Sequence, residues 1–328
     1  MDRILEEKEF INELKTKVIN GYKITKDEAY RLMDADLDMV SAAADKIREF
    51  FQGNSFDMCS VLSVKGGKCS ENCKFCSQSC RAKEAVDTFD FLDPVEILSF
   101  AKDKENKGLR RMCLVSSGRV LSERDIDKAV EAVKLVKKET NMNVCVSFGL
   151  LNKEQLVKLK AAGVTRVHNN LETSEKHFPD VCTSHTYQEK RAVLKAVQEV
   201  DLSLCSGGII GIGETMKDRI DMAFDIREYE PESVPVNILK PVKGTFFENA
   251  TPETEASLRR TIAIFKFILP HAYIRIAAGR DTLPDRGRRA LKSGANAAIS
   301  GDMLTVSGVS RDSDYLLLKE LGYENFTK

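Results

Sequence analysis

The chain has 328 residues and carries 50 Lys and Arg against 50 Asp and Glu, a formal net charge of zero. That balance argues against a nucleic-acid binder, which normally shows a basic excess or stripe. A hydrophobic share of 42% is enough for a sizeable core. The uncharged stretch 202–213 is too short and too rich in glycine to span a bilayer. The opening MDRILEEKEFINELK alternates charged and apolar residues without the apolar core of a signal peptide. A cytoplasmic protein with no membrane or nucleic-acid partner is therefore expected, and its nine cysteines are expected to stay reduced. Clustered thiols in such a chain point to metal binding or catalysis rather than disulfides.

Residues 1–54 read as a helical extension. Apolar residues recur at helical spacing up to Gly21, Thr25-Lys26-Asp27-Glu28 forms a capping box, and a third helix is expected from about 36 to 50. From 55 to 304, short Val- and Ile-rich runs alternate with long amphipathic helices. The expected strands are 58–64, 111–117, 143–150, 165–172, 202–211, 233–240, 272–278 and 296–300. Such alternation implies parallel βαβ units. Eight of them suggest an α/β fold of the (β/α)8 TIM-barrel type, with an open doubly wound sheet as the alternative. Residues 305–328 read as a loop and a short final helix.

The first expected strand is followed by Cys69-Ser70-Glu71-Asn72-Cys73-Lys74-Phe75-Cys76, a C-x3-C-x2-C spacing. Three thiolates so close converge on one metal centre. Structural zinc normally takes four protein ligands, and a four-iron cluster takes one per iron. Three thiolates thus suggest a [4Fe–4S] cluster with one iron open to a small molecule. A zinc loop completed by a distant His or Cys is the alternative.

This loop, with an aromatic residue before its last cysteine, resembles the radical S-adenosylmethionine (SAM) superfamily. Further blocks narrow the resemblance to biotin synthases: SVKGGKCSENCKFCSQS, CSGGIIGIGET (205–215), ESVPVNILKPVKGT (232–245) and YIRIAAGR (273–280). The resemblance implies a sulfur-transferring enzyme that converts dethiobiotin to biotin with two SAM cleavages. Cys69, Cys73 and Cys76 would hold the SAM [4Fe–4S] cluster. A second cluster, [2Fe–2S] in the family, would supply the sulfur and be held by Cys113, Cys145, Cys205 and Arg275. Cys59 departs from the usual family pattern. A fourth thiolate there would make a four-iron auxiliary cluster possible and free Arg275 for charge balance. Cys80 and Cys182 match no family ligand.

The resemblance also implies SAM contacts from Phe75, Asn170, Glu172, Gly207, Gly208 and Ile210, with Lys190 or Arg191 meeting the SAM carboxylate. Asn170 and Asn237 would contact the substrate. Implied partners are a flavodoxin- or ferredoxin-type electron donor, iron–sulfur assembly machinery and a second copy in a homodimer. A hydrogenase-maturation or methylornithine-synthase relative is the competing assignment within the superfamily.

Overall fold

The computed structural model describes residues 2–67, 69–84, 86–301 and 308–323. Lys68 of the cysteine loop, and 305–307 and 324–328 of the expected tail, lie outside the described residues. Among the described residues nine strands form one sheet: β1 (Asp57–Lys65), β2 (Arg111–Ser116), β3 (Asn143–Ser147), β4 (Val164–His168), β5 (Ser203–Cys205), β6 (Gly208–Ile210), β7 (Ser233–Ile238), β8 (Tyr273–Ile276) and β9 (Ala297–Ile299). Every pairing between them is parallel. Pairing of β1 with both β2 and β9, and of β5 with β7, closes the sheet into a barrel.

The barrel has eight strand positions, because β5 and β6 share the fifth. A single strand was expected over 202–211; the structure interrupts it at Ser206 and Gly207. The register explains the break. Cys205 pairs with Ser233 and Gly208 with Val236, which sets Gly207 opposite Pro235. Proline has no N–H to give the ladder. A Cβ on Gly207 would also lie 2.0 Å from the Pro235 carbonyl oxygen, so only glycine fits there.

Amphipathic helices cover the barrel, including 94–106, 123–139, 153–162, 187–199, 216–227 and 255–268. Side chains of Ser122, Asn152, Thr186, Thr215 and Thr254 cap five helices of the described chain. Before the barrel come α1 (Asp2–Ile19), α2 (Lys26–Asp34) and α3 (Leu37–Gln52). The Thr25/Glu28 capping box opens α2 as expected. Arg260 ties this extension to the barrel by donating to the Leu32 and Ala35 carbonyls at 3.0 and 2.7 Å. The cysteine loop follows β1 and therefore sits at the C-terminal face of the barrel, where sites of this architecture form.

Candidate active site

The floor of the barrel is ionic. Asp57, at the start of β1, is buried, and three buried arginines converge on its carboxylate. Arg275 Nη2 lies 2.6 Å from Oδ2, Arg166 Nη1 2.8 Å from the same oxygen, and Arg111 Nε 3.3 Å from Oδ1. Burial favours the neutral acid, but the three guanidiniums outweigh it and hold the Asp57 carboxyl well below the usual range. Arg275 is engaged on every nitrogen. Nε donates to Ser233 Oγ at 3.2 Å, and Nη1 donates to the Asp57 and Ala298 carbonyls at 3.1 and 2.7 Å. Its charge is needed to pair Asp57, and a protonated guanidinium offers no lone pair to iron.

Above this floor the strands bring four thiols to one cavity of about 220 Å³, lined by Cys59, Cys113, Cys145, Cys205, His168 and Arg275 among others. Cys113 and Cys145 are register partners on β2 and β3. Cys59 forms one packed cluster with them. Burial pushes the Cys59 thiol up to about 12. Burial acts the same way on Cys205, but His168 Nδ1, 3.4 Å away, together with Arg275 and Arg166 brings that thiol down to about 7. Three guanidiniums face two carboxylates, Asp57 and the Glu232 that pairs with Arg166 at 2.5 Å, which leaves one positive charge in excess beneath the thiols. Such a pocket suits an anionic, thiolate-ligated iron–sulfur cluster.

A second cavity, about 270 Å³, lies toward the cysteine loop and is lined by Phe75, Cys76, Asn170, Glu172, Ile209 and Asn237, among others. Asn237 lines both cavities. Its amide also braces the barrel: Nδ2 donates to the Gly208 carbonyl at 3.0 Å, and Oδ1 accepts from Ala278 N at 3.3 Å. Asn170 is similarly fixed, accepting from Gly207 N at 3.1 Å and donating to Glu172 Oε2 at 3.2 Å. Burial raises the Glu172 carboxyl above its ordinary range despite Lys190 and His168.

Four expected SAM contacts, Ile210, Gly207, Gly208 and Arg191, are not among the residues lining this cavity. Ile210 packs into the core between barrel and helices, whereas its neighbour Ile209 lines the cavity beside Phe75. Strand side chains alternate between faces, so these two neighbours present their side chains to opposite sides. Gly207 and Gly208 serve close backbone approach within the barrel: a Cβ on Gly208 would meet the Glu172 carbonyl oxygen at 2.3 Å. Arg191 turns outward, donating to Tyr229 Oη at 2.9 Å and pairing with Glu228 at 2.6 Å. Lys190 is left as the cation whose charge bears on Glu172 and Cys73.

The loop holding Cys69, Cys73 and Cys76 is stitched to the segment before helix 187–199. Lys74 N donates to the Val181 carbonyl at 2.9 Å and Asn72 N to Ser184 Oγ at 3.0 Å, while Cys69 N donates locally to the Gln78 carbonyl at 2.7 Å. All three thiols are free and half-buried, and three free thiols on one loop match the donor set of a [4Fe–4S] cluster with one open iron. Against Cys73 lies Cys182, with Sγ atoms 3.7 Å apart. His185 stands beside Cys182, and its Nδ1 is 2.6 Å from Glu71 Oε2. Sequence reasoning missed Asp57, Arg111, Arg166, His168 and Ile209. A charged residue inside an otherwise apolar strand, as in DMCSVLSV, RMCLVS and VTRVH, is the signal that was available for the ionic floor.

Residues 63–226 match the Radical SAM superfamily, and residues 235–324 match the Biotin and Thiamin Synthesis associated domain. A biotin synthase of Brachyspira hyodysenteriae is 48% identical over 324 residues, covering 99% of this chain and 97% of that protein. The chain belongs to the biotin synthase family. Other biotin synthases agree: one from Clostridium botulinum (strain Hall) is 44% identical, covering 94% of this chain and 98% of its own. "Biotin synthase 2" of Corynebacterium diphtheriae is 46% identical, covering 95% of each. Among solved structures, methylornithine synthase superposes with a TM-score of 0.82 at 20% identity, covering 95% of this chain and 97% of its own. The hydrogenase maturase HydG of Carboxydothermus hydrogenoformans gives 0.81 at 18%, covering 96% and 79%. At that identity these two show a shared fold, while the biotin synthases set the family. No helix among the described residues is long and apolar enough to cross a membrane.

Proposed function

We propose that this family member converts dethiobiotin to biotin, with SAM and substrate in the upper cavity and the inserted sulfur drawn from the thiol-lined cavity below. One observation carries the reading: Asn237 borders both cavities, so substrate bound beside it lies between the SAM loop and the four buried thiols. When bound, a [4Fe–4S] cluster on Cys69, Cys73 and Cys76 supplies the electron that opens SAM to a 5′-deoxyadenosyl radical, and the auxiliary cluster supplies sulfur. The protein's own part is placement and exclusion of water. Phe75 and Ile209 give the adenine an apolar wall, Glu172 accepts from the ribose, and Lys190 meets the carboxylate. Asn170 and Asn237 retain donor and acceptor capacity for a cyclic urea.

For the auxiliary cluster, the reading assigns Cys59, Cys113, Cys145 and Cys205 as ligands, with Arg275 as a charge-balancing neighbour. Support comes from Arg275 being committed to Asp57, Ser233 and two carbonyls while Cys59 forms one packed cluster with two of the other thiols. Four thiolates favour a four-iron cluster over the family's two-iron form. Family membership carries the remaining expectations: a flavodoxin- or ferredoxin-type donor, iron–sulfur assembly machinery, a cytoplasmic address and a homodimer.

The test is anaerobic reconstitution with iron and sulfide, then SAM, reductant and dethiobiotin. Biotin and 5′-deoxyadenosine should form together, and Mössbauer spectra should count about eight irons per chain. If dethiobiotin neither binds nor stimulates SAM cleavage, the substrate assignment falls.

A further inference from the structure

Cys182 and His185 lie outside both sulfur sites assigned above, yet they are not placed like idle side chains. Cys182 is buried, and its Sγ lies 3.7 Å from Cys73 Sγ, 3.4 Å from His185 Nδ1 and 3.7 Å from His185 Nε2. The ligand atoms of all three residues fall within 4.8 Å of one another. Zinc binds sulfur at about 2.3 Å and nitrogen at about 2.0–2.1 Å in tetrahedral geometry. Those lengths put two sulfurs about 3.8 Å apart across the ion, and a sulfur and a nitrogen about 3.6 Å apart. The observed Sγ–Sγ and Sγ–Nε2 edges agree with these.

The surroundings support the same chemistry. His185 Nδ1 is 2.6 Å from Glu71 Oε2, so the carboxylate accepts a hydrogen bond from Nδ1–H and the free lone pair sits on Nε2, available to a metal. This is the carboxylate–histidine–metal arrangement that orients an imidazole ligand and raises its basicity. Glu71 is itself held by Ser184 Oγ at 2.8 Å and Arg119 Nη1 at 3.3 Å. Both Cys182 and His185 are less than a tenth exposed. Borderline-soft divalent ions select such a thiolate and imidazole set.

We propose that Cys73, Cys182 and His185 form a mononuclear site for a zinc-class divalent ion, with Glu71 orienting the histidine and the fourth position open to water. The site shares Cys73 with the SAM loop, so the ion and the radical SAM cluster exclude one another. A chain without its cluster is thereby held in a metal-loaded form with two of its thiols protected, and cluster assembly must first displace the ion. The exclusion rests on Cys73 being a cluster ligand; binding of the ion does not.

The probe is Zn²⁺ or Co²⁺ added alone to reduced, cluster-free protein under anaerobic conditions. Wild type should show tetrahedral cobalt absorption, and zinc X-ray absorption should show two sulfurs and a nitrogen. Cys182→Ser and His185→Asn should each weaken zinc binding by about 100-fold and Glu71→Gln by about tenfold, with unchanged circular dichroism. Wild-type affinity and stoichiometry in both ligand variants would overturn the site. So would a zinc shell of three sulfurs without nitrogen, which would place the ion on Cys69, Cys73 and Cys76 instead. In a second arm, pre-bound zinc should slow cluster assembly in wild type but not in Cys182→Ser. Unslowed assembly of zinc-loaded wild type would overturn the exclusion. Cys182→Ser should still assemble the cluster and release 5′-deoxyadenosine. Failure of SAM cleavage in wild type and variant alike would strike the radical SAM assignment and leave the zinc measurement standing.

Discussion

Asp57 Oδ2 lies 2.6 Å from Nη2 of Arg275, joining β1 to β8 beneath the thiols. Two residues along β1 on the same face comes Cys59, which lines the cavity that Arg275 also borders. One strand therefore supplies both the carboxylate that occupies the arginine and the thiolate positioned to replace it as a ligand. Arg166 and Arg111 share the same carboxylate, so one buried acid faces three buried cations.

Removing it is expected to be costly. Asp57→Asn leaves three guanidiniums without their common counter-charge in a buried place, and breaking a buried pair from one side typically costs about 3–5 kcal/mol. Urea unfolding of the cluster-free protein should show a loss of that size. A loss below about 1 kcal/mol would mean that water reaches the floor and screens it.

Cys59→Ser separates the two modes of auxiliary-cluster ligation. With Cys59 as ligand, the variant loses iron from the second cluster and its Mössbauer and electronic spectra change, while the SAM cluster and uncoupled SAM cleavage persist. An unchanged second cluster would return Arg275 to the role of fourth ligand. Cys113→Ala, Cys145→Ala and Cys205→Ala should stop biotin formation under either mode.

The cluster loop gives a sharper outcome. Cys69→Ala, Cys73→Ala and Cys76→Ala should each abolish 5′-deoxyadenosine, because each removes one of three thiolates on a single cluster. Near-normal SAM cleavage in any of them would reject the loop as the SAM centre.

Much of this was legible in the sequence, and the reason is local. The C-x3-C-x2-C spacing is short enough to specify convergence without any knowledge of the fold. Val- and Ile-rich runs separated by capped helices announced the parallel barrel in the same way. Long-range relations were not legible. The Asp57 clamp joins residues 218 positions apart, and Cys182 reaches Cys73 across 109; no spacing rule connects such pairs. The face of a short strand was also ambiguous. Ile209 and Ile210 both read as apolar, and only the break opposite Pro235 fixes which of them points inward.

That distinction predicts opposite phenotypes from adjacent residues. Ile210→Ala removes side chain from the close-packed core and should cost about 2–5 kcal/mol of stability, with little effect on SAM binding in protein that remains folded. Ile209→Ala should leave the unfolding midpoint nearly unchanged and weaken SAM about tenfold, equivalent to about 1.4 kcal/mol. Equilibrium unfolding and SAM binding measured on the same two variants decide it; the reverse pattern would put the adenine on the other face.

Glu172 ties binding to pH, and its two effects run in opposite directions. Burial raises its carboxyl above the ordinary value of about 4.3 that it regains on unfolding. A raised folded value means that the folded state holds the proton more tightly. The group's contribution to stability is therefore complete below about pH 4.3 and is lost as pH rises through the folded value. SAM binding has the other sign. The ribose hydroxyls donate, so the ionised carboxylate is the better acceptor, and affinity should fall as acidification protonates Glu172 at a pH above that of an ordinary glutamate. In Glu172→Gln the acid-side fall should disappear, with weaker SAM binding at neutral pH and higher relative stability there. Titrating SAM affinity and unfolding midpoint against pH in both proteins tests the pair of effects. An acid-side loss of affinity that persists unchanged in the variant would assign it to another group, and the ribose contact with it.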